Sequence, residues 1–387
     1  MTGALPHLDL SDPDFSTRGP EVMAARDQSW CARTPYGLAV LRHRQAGLLL
    51  RDRRLRQGSY AWPETIGLTG SFAEFWNRSL IALEGAEHKQ MRQVALKALA
   101  PEFIETLVPA WTKTAEALVQ TGEVEFMGQF ARPFAGRAIT TLLGISEDRA
   151  DALAEDAITL GLGMAIDGKD HERAINDATD RLTVLAHELI GAPPKGRYVD
   201  RLIQSFADLG IEDHQALVDL IVISIFGGVD TTRAQLGFAM MLFAEHPAQW
   251  SHLARDPSLA EQAIDEVVRT RPTTTWATRE AIETFEIEGV DVRAGETVHL
   301  LVHASGTDPA VGGGAGFDIT QRRKRHFGFG GGAHHCLGQG VARADIGASL
   351  KVLCREIREI RVSGEPVCGV DSGNTGAHSL PLYLTAR

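Results

Sequence analysis

The stretch Phe329-Gly-Gly-Gly-Ala-His-His-Cys-Leu-Gly338 runs into Gln339-Gly-Val-Ala-Arg343, which opens a helical pattern reaching Leu353. Cys336 therefore falls in a glycine-rich turn at or just before a helix N-terminus. Unpaired backbone N–H groups and the helix dipole at such a place stabilise a thiolate. Gly330, Gly332 and Gly338 let the backbone adopt positive φ or approach a flat partner closely. The bland alternative is a small buried hydrophobe, the usual state of a lone cysteine. Zinc is a second alternative, since His334-His335-Cys336 lines up three donors. Adjacent residues seldom converge on one tetrahedral ion, however, and no second Cys/His cluster has ligand spacing.

The rest of the composition bounds what this loop can serve. The chain has 387 residues, 44% hydrophobic and 23% charged, an ordinary globular composition that excludes collagenous, coiled-coil and disordered classes. With 39 Lys+Arg against 50 Asp+Glu its net charge is -11, which argues against general nucleic-acid binding. Cys31, Cys336, Cys354 and Cys368 are spread without CxxC pairing, a usage that suits a reducing compartment. Residues 1–20 are polar and acidic, without a signal-like segment. The longest apolar stretch, Leu220 to Val229, falls short of the ~20 residues that span a bilayer. A cytoplasmic, unanchored protein with no membrane or nucleic-acid partner is expected.

Apolar residues recur at three- and four-residue spacing over Glu84 to Leu99, Phe103 to Thr121, Pro133 to Leu143, Asp148 to Leu162, His171 to Ile190, Asp213 to Ala244 and Pro257 to Thr270. Pro101, Gly144, Pro193-Pro194 and Pro247 stand between them as breakers. Strand patterns occupy Gly37 to Arg42, Phe285 to Val302 (a hairpin with turns at Gly289 and Gly295), Glu359 to Val362 and Pro381 to Thr385. The pattern predicts a mainly α protein with a small β subregion (α+β), folded as a single domain over 1–387. The glycine-rich segment from Gly312 to Gly332, interrupted by Arg322-Arg323-Lys324-Arg325, has no periodicity, and a long irregular segment inside a compact domain is usually functional.

The cysteine loop resembles the haem-binding loop of the cytochrome P-450 monooxygenases, F-x-x-G-x-[RH]-x-C-x-G, with Phe329, Gly332, His334, Cys336 and Gly338 in every fixed position. The resemblance implies a triangular helical prism enclosing haem b (iron protoporphyrin IX), with Cys336 as the proximal thiolate ligand of the iron. Such a ligand pushes electron density toward oxygen. Phe329 would shield the sulfur, and Gly330 and Gly338 would supply backbone N–H groups that tune it. Three further motifs follow the family's order. Gly227-Gly-Val-Asp-Thr-Thr232 interrupts an apolar helix with two glycines, each costing roughly 1 kcal/mol there. It matches [AG]-G-x-[DE]-T, which implies that Gly227 and Gly228 open a bulged groove for oxygen beside the haem, Thr231 hydrogen-bonds the activated oxygen and Asp230 feeds it protons. Glu266-Val-Val-Arg269 matches the structural E-x-x-R pair. Arg279 stands where the family places a haem-propionate arginine, and His88-Lys-Gln-Met-Arg92 looks like its H-x-x-x-R propionate donor pair. His334 would be the fourth donor.

The chain departs from the pattern in three places. The A-N-R-D-P segment reads Ala304-Ser-Gly-Thr-Asp-Pro309, P-x-R-F has become Gly314-Ala-Gly-Phe317, and a common proline after the loop is Gly340. The arginine that would complete a triad with Glu266 and Arg269 is thus Gly316. Either Arg322 or Arg323 replaces it, or the pair lacks a third member.

The expected activity is insertion of one atom of molecular oxygen into a small, largely apolar organic substrate by a monomer fed by a ferredoxin and its reductase. Arg322 to Arg325 with Lys89, Arg92 and Lys97 would steer an acidic ferredoxin. Trp62, Phe72, Phe75 and Trp76, Ile223 and Gly227, and Thr274 to Trp276 are the expected substrate-contact regions. A peroxide-driven oxidase and a non-catalytic haem sensor are the alternatives; neither needs the Asp230–Thr231 pair.

Overall fold

Helices begin and end where their terminal residues dictate. A computed structural model describes residues 4–12, 14–312, 314–371 and 373–387. Seven of the expected helices are present with shifted ends: Gly85–Ala98, Pro101–Leu118, Arg132–Leu143, Ala150–Gly161, Glu172–Gly191, His214–Glu245 and Ala260–Thr270. Asp213 caps the longest of them through its side chain, which accepts from the Ala216 N–H. Gly144, at φ 77°, ends Arg132–Leu143 in the left-handed conformation that glycine adopts freely. Pro101 and Pro247 are first residues of helices rather than separators, because proline at the first helical position costs no backbone hydrogen bond. The helices Pro20–Gln28, His43–Leu49, Ser71–Arg78, Tyr198–Asp208 and Pro247–Arg255 went unread in the periodicity.

The expected hairpin over Phe285 to Val302 divides in two. Phe285–Ile287 and Val290–Val292 form a ribbon closed by Glu288 and Gly289, both at positive φ, the geometry of a tight two-residue hairpin turn. Thr297–Leu301 instead enters a five-stranded sheet, parallel to Gly37–Val40 and antiparallel to Trp276–Ala281. Cys31–Thr34 and Leu55–Gln57 form the edges of that sheet. Gly122–Glu125, Pro381–Ala386 and Ile357–Val362 make a separate three-stranded sheet.

His214–Glu245, hereafter the central helix, is long and apolar enough by composition to cross a membrane, which the shorter run Leu220 to Val229 did not suggest. Its apolar side chains are spent on packing. Leu220, Ile221, Ile225, Phe226, Val229 and Leu236 are all buried in the main core, against Arg132–Leu143, Ala150–Gly161 and Glu172–Gly191. The sheet has its own smaller core around Leu38, Val40, Val298 and Leu300.

Candidate active site

The cysteine loop is closed by its own backbone. Cys336 N–H donates to the Phe329 carbonyl and Gly330 N–H to that of Phe327, each at 2.7 Å. Gly330 and Gly332 both sit at φ +67°, and a Cβ on Gly332 would lie 2.0 Å from the Leu50 carbonyl oxygen, so only glycine fits there. Gly338 is different: its φ is -82°, it caps the helix Gln339–Glu356, and a Cβ on it would meet nothing within 4 Å. Protein surrounds Cys336, yet its sulfur is accessible. Burial pushes the thiol above its ordinary value, opposed by the backbone N–H groups of Gly338 and Gln339 and by the Arg92 charge. The expected thiolate stabilisation is thus present but outweighed; a bound cation would reverse the balance.

The central helix carries an open position of its own. Gly227 is exposed in the middle of a helix whose neighbours Phe226 and Val229 are buried, and a Cβ there would also meet nothing within 4 Å. Gly228 instead packs on Ile139. The helix is α-helical throughout, so the expected bulge is absent; the opening comes from the missing Gly227 side chain. Thr231 Oγ1 donates to the Gly227 carbonyl at 2.6 Å. Asp230 Oδ1 accepts from Arg233 Nη2 at 3.0 Å, and Arg233 Nη1 reaches the Ala377 carbonyl at the same distance.

A set of side chains gathers around one carboxylate, Glu84, the residue that precedes the helix carrying His88. Gln57 N–H donates to Glu84 Oε1, and His334 Nε2 lies 3.1 Å from the same oxygen. The His334 ring lies 4.0 Å from that of His88, centroid to centroid. Gln57 and Arg279 are register partners on adjacent strands, and Arg279 Nη1 donates to Gln57 Oε1 at 2.9 Å. Burial would raise the Glu84 carboxyl, but the Gln57 N–H, His334 and His88 hold it below its ordinary value. Burial, reinforced by His88, pushes His334 down to about 4, and burial also lowers His88. The rings therefore meet the carboxylate as neutral donors at pH 7. A polar cleft of about 370 Å³, lined by Arg56, Tyr60, Glu64 and Asn77, opens beside Glu84.

These features fit a haem. An accessible sulfur within the protein, two glycines whose missing side chains leave space, and Arg279, His88 and His334 already gathered around a carboxylate match a flat macrocycle with an axial ligand and propionates. Arg92, one turn on from His88 in the same helix, acts electrostatically on both His88 and Cys336 and so stands between the carboxylate cluster and the sulfur. His334 is turned to Glu84 and His88, so it does not join Cys336 around one ion.

The pair Glu266–Arg269 is locked inside the protein. Arg269 donates to both Glu266 oxygens, at 2.6 and 2.8 Å, and to the carbonyls of Gly306, Gly314 and Gly316. The third cation is Arg323, whose Nη2 lies 3.5 Å from Glu266 Oε1. The missing arginine at Gly316 is thus replaced from seven positions downstream, which removes Arg323 from the exposed basic run. Lys97 is likewise committed, to Asp208. Lys89, Arg322, Lys324 and Arg325 remain exposed.

The expected aromatic mouth is not formed by Phe72, Phe75 and Trp76, which are buried core residues; Phe72 packs on Gly163 and, ring to ring at 5.6 Å, on Trp76. Trp62 is half-buried and donates to the Gly163 carbonyl. Thr274 donates to Asn374, which in turn contacts the Met164 sulfur at 3.4 Å. Trp276 packs edge-on against His299 within the sheet.

No protein-family model matches the chain. The luteothin monooxygenase of Streptomyces thioluteus is 34% identical over 394 aligned positions, covering 99% of this chain and 97% of that protein. The biotin biosynthesis cytochrome P450 of Bacillus subtilis is 24% identical, covering 84% of this chain and 85% of its own. The crystal structure of CalO2 superposes with a TM-score of 0.87 at 23% identity, covering 97% of this chain and 98% of that one. With 34% identity to a named monooxygenase over almost its whole length and a fold shared over 97% of it, this chain belongs to the cytochrome P450 superfamily of haem-thiolate monooxygenases.

Proposed function

We propose that the chain is a single catalytic domain, residues 1–387, that holds haem b through Cys336 and oxidises a small, largely apolar secondary metabolite with electrons from a ferredoxin and its reductase. The observation that carries the reading is the accessible Cys336 sulfur enclosed by protein in the family's glycine loop. When bound, the haem supplies oxygen activation; the chain supplies position, dryness and protons. Cys336 would ligate as the thiolate, favoured by the metal charge, Arg92 and the N–H groups of Gly338 and Gln339. Arg279, His88 and His334, with Arg92, would hold the propionates, Phe329 and Gly330 would shape the loop around the sulfur, and Gly227 would leave room over the ring while Gly228 lets the central helix pack closely on Ile139. Thr231 and Asp230 would hold and pass the two protons that splitting dioxygen consumes.

The names of the relatives support a secondary-metabolite substrate. The Streptomyces thioluteus protein is named for luteothin, and another relative, 28% identical, is the mycinamicin IV hydroxylase/epoxidase of Micromonospora griseorubida. Ile223 and Gly227 on the central helix, together with Thr274 and the Met164 that Asn374 links to it, are the residues we assign to substrate contact. The electron donor would dock on Lys89, Arg322, Lys324 and Arg325, exposed on a chain of net charge -11. Four cysteines without a disulfide among the described residues fit a reducing compartment such as the cytoplasm; we take the chain to act as a monomer.

The reduced protein with carbon monoxide tests the ligand directly. The expected Soret band carries the thiolate red shift, and Cys336→Ser abolishes it while the fold is kept. A folded wild-type protein without that shift overturns Cys336 as ligand. Turnover of luteothin-like compounds with ferredoxin, reductase and oxygen, against turnover with hydrogen peroxide alone, separates the monooxygenase from a peroxide-driven oxidase.

A further inference from the structure

Glu84 is the carboxylate whose charge reaches all three of Arg279, His88 and His334. The His334 side chain is 9% exposed, and its Nε2 meets Glu84 Oε1 at 3.1 Å. Facing an ionised carboxylate, that nitrogen carries the proton, and one N–H has one strong acceptor at a time. A haem carboxylate and Glu84 therefore compete for the same donor. The charges compete as well. Arg279 and Arg92 are the cations here, and burial acts against the charge of both. Two propionates balance two cations, so Glu84 is a negative charge in excess, and like charges sharing one site repel. Glu84 has somewhere to go. Its side chain is 41% exposed and borders the cleft of about 370 Å³ that Arg56 and Glu64 also line. Arg56, paired there with Glu280, already feels the Glu84 charge. Glu84 precedes the helix Gly85–Ala98 but makes no side-chain bond that caps it, so moving this side chain leaves the helix start intact.

We propose that Glu84 is a stand-in anion: it closes the donor set on itself before haem arrives, and the haem carboxylates displace it toward Arg56 in the cleft. The inference rests on the reading that Arg279, His88 and His334 hold the propionates. It gives Glu84 a sign opposite to that of a supporting residue. A carboxylate that merely braced His334 for the cofactor would strengthen haem retention, whereas a displaced competitor weakens it. Arg56, as the second seat of Glu84, then favours the loaded protein, and only while Glu84 carries its charge.

The test follows haem leaving the full-length, haem-loaded protein for an excess of apomyoglobin, at low and high salt. A thiolate-shifted carbon monoxide band in each starting sample shows that the cofactor is in place. E84Q is expected to lose haem about fivefold more slowly than wild type, the scale of removing one nearby like charge, and high salt should narrow the difference. E64Q, which removes a charge from the same cleft away from the donors, should change the rate by less than about twofold. R56Q should speed transfer in the wild-type background and have no such effect beside E84Q, because the two side chains act as one unit. The proposal is overturned if E84Q loses haem as fast as wild type or faster, if E64Q slows transfer as much as E84Q, or if R56Q acts equally in both backgrounds. H88Q and R279K test the reading beneath it, and both are expected to speed transfer. If neither does, the donor set does not hold the propionates and the stand-in role falls with it. If they do while E84Q fails to slow transfer, the donor set stands and only the role of Glu84 fails.

Discussion

Replacing Glu266 by glutamine removes the negative charge from the most enclosed ion pair in the protein. Both side chains are 2% exposed. Glu266 Oε2 takes the Arg269 Nε–H, while Oε1 takes Arg269 Nη2, the Asp318 N–H at 2.9 Å and the more distant Arg323. With glutamine there, the buried Arg269 cation keeps its three backbone carbonyls and at most one amide oxygen but no counter-charge, and Arg323 adds a second uncompensated charge nearby. Breaking a buried pair from one side costs about 3–5 kcal/mol. At about 2 °C per kcal/mol for a large domain, the melting midpoint should fall by about 6–10 °C. Arg323 sits at 3.5 Å with a fifth of its side chain exposed. Arg323→Ala should therefore cost only about 0.5–1 kcal/mol, near the value of a surface pair. The assay is thermal denaturation of the haem-loaded protein by circular dichroism, with the yield of the carbon monoxide band as a second readout. Equal losses in the two variants, or a Glu266→Gln loss below about 1 kcal/mol, would refute this account of the lock.

Four more outcomes follow from single features of the structure. Gly332→Ala should prevent the loop from forming, because its Cβ would overlap the Leu50 carbonyl at 2.0 Å. Gly338→Ala should fold normally, since its Cβ meets no protein atom within 4 Å, but retain haem poorly where the proposed cofactor takes up that space; haem content of the two folded fractions distinguishes them. Thr231→Ala should lower product per NADPH by about tenfold or more and raise peroxide correspondingly, the scale of a lost proton-transfer group; unchanged coupling would remove Thr231 from proton delivery. His299 and His303 are buried, and burial pushes both down to about 4. The unfolded chain binds their protons near pH 6.5, so the stability they support is complete above that pH and lost as pH falls toward 4, by up to about 3 kcal/mol each. Urea midpoints should be flat above about pH 7 and decline below it, and His299→Leu should make the decline shallower. A His299→Leu protein with the same acid limb as wild type would exclude His299 as a cause.

The cysteine loop, the Asp230–Thr231 pair and the long helices were legible in the sequence because each is dictated locally. A left-handed turn demands glycine, an apolar stripe repeats at the helical period, and an oxygen-splitting site needs an acid beside an alcohol. What local chemistry could not decide is which distant side chain completes a cluster. Nothing around Gly316 says that Arg323 replaces its missing arginine; the chain path that brings Arg323 to Glu266 does. Glu84 gains its place only because the strand pairing of Gln57 with Arg279 brings both against the His88 helix. Phe72, Phe75 and Trp76 looked equally suited to a pocket or a core, since hydrophobicity is the same in either place and only packing tells them apart. The sheet that joins segments 31–40 and 297–301 with 276–281 was beyond the periodicity for the same reason, because strand order is set by contacts hundreds of residues apart. Sequence alone thus determined the family and pointed to the groups we assign to the reaction, whose residue types that chemistry requires. Tertiary structure decided the partners that hold those groups, because buried charges and open backbone positions take whichever neighbour the fold delivers.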